Sequence, residues 1–145
     1  MMVDLSDSPD RGTFPNRILI IRLSAIGDVV FSSPLVDALK EVYLGADIFW
    51  LAESPVVPLL EHHPHLRDVI VWPRKEWGEL LRSGRWLALL KEIVRFKQRL
   101  RRYQFDLVID AQGLFKSAVL AWMTGAVRRV GFASKEPTRA LLTER

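Results

Sequence analysis

The sequence predicts an α/β fold, a parallel sheet with helices on both faces. Three observations carry this reading. Short apolar runs alternate with segments of helical period along the chain, the pattern of a parallel sheet with crossover helices. The first run, "RILIIRL", is apolar without alternation, as in a strand buried on both faces. The length of 145 residues fits one domain and is enough to bury a real core.

The first sixteen residues, "MMVDLSDSPDRGTFPN", are polar and acidic. They lack the basic and apolar regions of a signal peptide and read as a flexible lead-in. The first strand is expected over residues 17–23. Residues 29–43 then show apolar positions at Val30, Leu35, Ala38, Leu39 and Val42, near the helical period. Pro34 within this segment predicts a kink or a fresh start of the hydrogen bonding, and Gly45 closes it. The second strand is "ADIFWLA", residues 46–52. Residues 54–64 form a short helix or turn, with Ser54 as cap and Pro55 at its first position. The third strand is "DVIVW", residues 68–72.

Residues 73–85, "PRKEWGELLRSGR", carry mixed signals and read as a mobile loop. A helical stripe follows at Trp86, Leu89, Leu90, Ile93, Phe96, Leu100 and Tyr103. "DLVID" (106–110) is the fourth strand, "AQGLFKSAVLAWMTG" (111–125) a turn into a helix, and "VRRVGF" (127–132) a shorter fifth strand. A last helix is expected from residue 135. The sequence contains no repeat, low-complexity segment or second-domain linker. In such sheets ligands bind beyond the carboxyl ends of the strands, at the switch point, here between strands one and four. The turns at residues 23–28 and 111–116 should meet there.

Composition excludes several chemistries. The chain has no cysteine, so disulfides, thiol catalysis and zinc–thiolate sites are absent. All three histidines lie in "EHHPHL" (61–66), where Pro64 spoils a helical pair and no acid completes a ligand set, so no metal is expected. No apolar run reaches membrane-span length, because Arg22 and Asp28 interrupt the longest candidate. A soluble, cytoplasmic protein is the expectation. Net charge is +4, but residues 74–102 hold ten Lys/Arg against three Glu. Such a block is either a solvated helix face or a docking surface for an anionic partner. Nucleic acid is not expected, since no RNP-like aromatic pattern or helix-turn-helix accompanies the charge.

Two turns and one segment are candidate sites. "SAIGD" is neither a dinucleotide fingerprint nor a P-loop, both of which need more glycines or a Gly-Lys pair. Gly27 allows a tight turn, and the helix that follows offers N–H groups to an anion. Asp28 has two readings: a helix-start carboxylate, or a base for a substrate hydroxyl. In "DAQGLFKSA" (110–118), Gln112 and Ser117 offer hydrogen bonds, Gly113 allows close backbone approach and Lys116 offers charge; an ordinary strand-to-helix turn is the plain alternative. In "WPRKEWGELLRSGRW", Trp72, Trp77 and Trp86 lie among basic residues. Three readings stand there: an anion clamp through Arg74 and Lys75, a membrane-surface segment, or core tryptophans with surface charges.

"ILIIRLSAIGDVVFSSPLVDALK", "DLVIDAQGLFKSA" and "RRVGFASKEPTRALL" together resemble the amino-terminal half of the lipopolysaccharide heptosyltransferases of glycosyltransferase family 9, and most resemble the heptosyltransferase I type. The resemblance spans about residues 17–142. It implies the amino-terminal Rossmann-like half of a GT-B glycosyltransferase, with residues 1–16 as lead-in and 17–145 as the acceptor-binding domain. It implies inverting transfer of heptose from ADP-heptose to a Kdo-lipid A acceptor at the cytoplasmic face of the inner membrane, with neither metal nor cofactor. Asp28 takes the position of the family's general base, with Ser24, Ala25 and Gly27 beside it. Arg74 and Lys75 fall on the patch that handles acceptor phosphates and carboxylates. Gln112, Gly113, Lys116 and Ser117 lie in the second matching turn. The family's Arg-Glu-Pro reads Lys135-Glu136-Pro137 here, so Lys135 and Arg139 compete for one role. Family members are about twice this long, with most donor contacts in a second domain. This chain is therefore expected to be a fragment that does not catalyse transfer alone.

Overall fold

The computed structural model describes residues 15–131. Five parallel strands form one sheet in the order β3-β2-β1-β4-β5. They are β1 (Arg17–Ile21), β2 (Asp47–Glu53), β3 (Asp68–Trp72), β4 (Leu107–Asp110) and β5 (Arg128–Gly131). The register runs Ile20 to Trp50 across β1 and β2, and Ile20 to Ile109 across β1 and β4.

Side chains alternate between faces along a strand, and the core divides accordingly. Leu19 and Ile21 join Phe49, Leu51, Ile70 and Val108 on one face. That face is covered by α5 (Trp86–Arg102) through Phe96 and Leu100, and by α6 (Phe115–Met123) through Ala118 and Ala121. Ile20 joins Ile48, Trp50 and Ala52 on the other face. There α1 (Ile26–Ser32) contributes Val29, α2 (Pro34–Val42) Val36 and α3 (Val57–Leu60) Leu60. Ile18 to Ile21 are completely buried, each such side chain adding about 1.5–3 kcal/mol of burial. Both faces are thus dry, as the unbroken apolar run predicts.

The fresh start expected at Pro34 is found: Ser33 closes α1 with its N–H on the Val29 and Val30 carbonyls, and Pro34 opens α2 at its first position. Two expectations need correction. Residues 73–85 are not a mobile loop: Arg74–Arg82 form a helix, α4. It is anchored by Trp77, whose ring meets Trp72 and Phe96 edge-on at 6.0 and 5.5 Å. Gly27 makes no turn, since it lies inside α1 and a Cβ there would meet nothing. The stripe on α5 is only partly core. Phe96 and Leu100 are buried, but Trp86 and Leu90 are 65% and 59% exposed. The helix expected from residue 135 lies outside the described residues, as does the expected lead-in up to residue 14.

Gly125, just past α6, has φ +73°, a conformation that costs a side-chain-bearing residue about 1–2 kcal/mol. Gly125→Ala is expected to lower unfolding stability by that amount in urea titration. A variant as stable as the parent would mean the α6–β5 link relaxes freely.

Candidate active site

The carboxyl ends of β1 and β4 bring the two predicted turns together. After β1 the chain passes through Arg22–Ala25 before α1 begins at Ile26. After β4 it turns through residues 111–114 before α6 begins at Phe115. The turns are stitched to one another. The Leu23 N–H donates to the Gln112 side-chain oxygen at 3.1 Å, and Arg22 Nη1 donates to the Ala111 carbonyl at 2.6 Å. β2 joins them through the Trp50 indole N–H, 3.0 Å from the Arg22 carbonyl, and the Glu53 N–H, 3.0 Å from the Leu23 carbonyl.

Asp28 sits in the first turn of α1 and makes no capping hydrogen bond. Its carboxylate instead pairs with Arg22 Nη2 at 2.8 Å. Arg22 is mostly buried, whereas the Asp28 side chain is 57% exposed. A fixed guanidinium therefore holds a carboxylate whose other edge faces open space. Ser24 is half-buried and Ala25 exposed beside it.

The second turn is organised by Asp110, which is completely buried. One oxygen accepts the N–H groups of Gln112 and Gly113, both at 3.0 Å, and the other lies 3.0 Å from Ser117 Oγ. Burial pushes the Asp110 pKa up, opposed by the Gly113 N–H, the Ser117 hydroxyl, the Gln112 N–H and the Arg22 charge. Gly113 has φ +73°, the left-handed conformation that glycine tolerates. Ser117 is completely buried, and its hydroxyl also meets Leu114 N at 3.1 Å and Leu114 O at 2.7 Å. Ser117 is thus a turn-holding residue, not the ligand contact expected from sequence. Gln112 likewise uses its oxygen inside the protein.

A groove of about 950 Å³ opens beside these turns, over the ends of β2 and β3. Its lining includes Trp72, Arg74, Lys75, Arg82 and Arg99, against the acids Glu53 and Glu76. Arg74 and Lys75 therefore reach the site from the start of α4 rather than from a loop. Lys116, in the first turn of α6, approaches the same groove, with Nζ 5.8 Å from the Trp72 ring centre. Lys135 and Arg139 lie outside the described residues. Among the described residues no cluster of three or more His, Asp or Glu could hold a metal, and no helix is long and apolar enough to cross a membrane.

Sequence reasoning missed two residues. Arg22 was read only as a break in an apolar run, and Glu53, between the strand expected over 46–52 and the segment 54–64, was given no role. Both sit at strand ends bordering the switch point, which was their only sequence signal.

The profile of glycosyltransferase family 9 (heptosyltransferase) matches residues 93–145. The lipopolysaccharide heptosyltransferase 1 of Pseudomonas aeruginosa is 34% identical over 122 residues, 81% of this chain and 31% of that protein. The chain belongs to glycosyltransferase family 9. The Escherichia coli K12 lipopolysaccharide heptosyltransferase 1 is 31% identical over 72% of this chain and 32% of its own length. This family 9 chain thus spans about a third of these relatives. Solved family structures share its fold. The E. coli heptosyltransferase WaaC, determined with ADP-2-deoxy-2-fluoro heptose, superposes with TM-score 0.73 at 24% identity, over 89% of this chain and 41% of that one. E. coli ADP-heptose lps heptosyltransferase II gives 0.68 at 25% identity, over 89% and 34%. The fold is that of one Rossmann-like half of the GT-B architecture.

Proposed function

We propose that this chain is the acceptor-binding, base-carrying part of an inverting heptosyltransferase. In this reading heptose moves from ADP-heptose to the Kdo-lipid A inner core of lipopolysaccharide, residues 17–145 form the acceptor domain, and donor contacts come mainly from sequence beyond this third of the relatives' length. The observation that carries it is Asp28, a half-open carboxylate gripped by Arg22 at the switch point. Inverting transfer needs a base to take the acceptor hydroxyl's proton as the anomeric centre becomes oxocarbenium-like. Asp28 takes that proton, while Ser24, Ala25 and the open space at Gly27 leave room for the sugar. Arg74 and Lys75 bind the acceptor's carboxylates and phosphates from the groove, and Gly113 allows its backbone to approach the sugar. Of Lys135 and Arg139, one supplies a further cation. Neither a metal nor a cofactor enters the reaction. The test is heptosyl transfer by the intact enzyme and by the chain alone; transfer by the 145-residue chain would overturn the division of labour.

A second reading, docking on anionic lipid, is favoured by the outer face of α5. Trp86, Leu87 and Leu90 are 65%, 84% and 59% exposed there. Lys91 and Arg95 flank them, and the whole helix holds six Lys/Arg against one Glu. Exposed tryptophan and leucine rimmed by cations suit the surface of an anionic bilayer. It is compatible with catalysis on a lipid-borne acceptor, at the cytoplasmic face of the inner membrane. The chain is expected to co-sediment with phosphatidylglycerol vesicles and not with phosphatidylcholine vesicles. Leu87→Asp should weaken that binding about tenfold, the worth of one buried leucine. Equal binding to both lipids would remove this reading.

A further inference from the structure

Glu53 is the one acid buried beneath the basic groove, and neither the base reading nor the anion-binding reading uses it. Its residue surface is 9% exposed. The backbone is fixed on two sides: its N–H is bonded to the Leu23 carbonyl, and it stands opposite Trp72 in the sheet register. Two cations from separate elements converge on its side chain. Arg74 Nη1, at the start of α4, lies 3.3 and 3.4 Å from its two oxygens. Lys116 Nζ, from α6, lies 3.7 Å from Oε1. A buried carboxylate requires a partner, but one cation would satisfy it. Two leave a net positive charge at the groove wall. Only Nη1 of the Arg74 fork is engaged with Glu53, and the Arg74 side chain is 59% exposed. Its remaining donors are open to the groove.

We infer that Glu53 is a positioning residue, whose carboxylate holds the Arg74 guanidinium and the Lys116 ammonium as a preformed pair for an anionic group of the acceptor. The inference rests on the proposed acceptor-binding role and adds the residue that organises it. Long cationic side chains lose rotamer freedom when they grip a ligand, and fixing them beforehand removes that cost from binding. Glu53 acts through its two partners and touches no reacting atom.

Lys116 supplies a local reporter, because its ammonium faces the Trp72 ring. Labelling with 5-fluorotryptophan gives one fluorine resonance for each of the five tryptophans, with Trp72 assigned by Trp72→Phe. Glu53→Gln is expected to shift the Trp72 resonance as Lys116→Met does, with the Trp50 resonance unmoved as the sign of an intact fold. In heptosyl transfer by the intact enzyme, Glu53→Gln should raise the acceptor KM about tenfold, the worth of one charged hydrogen bond, with kcat unchanged. Arg74→Met and Lys116→Met, which leave Glu53 one cation each, should raise the same KM. An unmoved Trp72 resonance in Glu53→Gln overturns the positioning role. So does a KM that none of the three substitutions changes. If the parent enzyme transfers no heptose to a Kdo-lipid A acceptor, the functional reading fails, and the fluorine spectrum alone still decides whether Glu53 places Lys116.

Discussion

Replacing Asp28 with Asn in the intact enzyme is expected to lower kcat by about 10²- to 10⁴-fold, the range over which a positioned general base acts. The acceptor KM should stay within about threefold of the parent, since binding and proton transfer are separate contributions. Asn is nearly isosteric with Asp, and its amide oxygen can still accept from Arg22 Nη2, which now meets the carboxylate at 2.8 Å. The turn after β1 keeps its other anchors, the Leu23 N–H on Gln112 and the Trp50 indole on the Arg22 carbonyl. What is lost is the negative charge, and with it the ability to accept a proton. Asp28 also stands in the first turn of α1, where a negative charge suits the helix dipole, and that position is compatible with a role as base. Steady-state kinetics on the parent and on Asp28→Asn decides the matter. A kcat within tenfold of the parent would remove Asp28 from the chemistry. A raised KM with unchanged kcat would make it an acceptor contact instead.

The fold was legible in the sequence because the sheet is dry on both sides. Unbroken runs such as Ile18 to Ile21 report burial directly, and their alternation with helical segments reports parallel connection. The meeting of the turns after β1 and β4 followed from topology alone. What was not legible depends on partners far away in sequence. Residues 74–82 carry Gly78 and no capping residue at Pro73, so local signals favour a loop. The helix is held by Trp77 against Phe96 and Trp72. Glu53 lies outside both neighbouring segments in the sequence and gains its role only when Arg74 and Lys116 arrive from two other elements. Trp86 and Leu90 fit the helical period of a core stripe, yet both are largely exposed. Periodicity reports amphipathicity, and it does not say what covers the apolar side.

Asp110→Ala should destabilise the protein by about 3–4 kcal/mol in urea titration, a large share of a small domain's usual 5–15 kcal/mol. The carboxylate accepts two backbone N–H groups and meets a hydroxyl, all at 3.0 Å, in a completely buried position. Alanine leaves those donors without partners and water without access. Asp110→Asn keeps an acceptor for the Gln112 and Gly113 N–H groups and should cost only about 1 kcal/mol. The two variants also separate by pH. Ser117 has one hydroxyl hydrogen, and both Asp110 Oδ2 and the Leu114 carbonyl stand within reach of it. Burial raises the Asp110 pKa, against the pull of the Gly113 N–H, the Ser117 hydroxyl, the Gln112 N–H and the Arg22 charge. A carboxyl that binds its proton more tightly folded than unfolded stabilises most in acid, and that contribution falls as pH rises through the raised value. The stability advantage of the parent over Asp110→Asn should therefore be greatest on the acid side of the ordinary carboxylate range and shrink upward from it. An advantage that grows with pH would mean that the folded protein holds Asp110 as the anion, with the N–H groups and Arg22 outweighing burial.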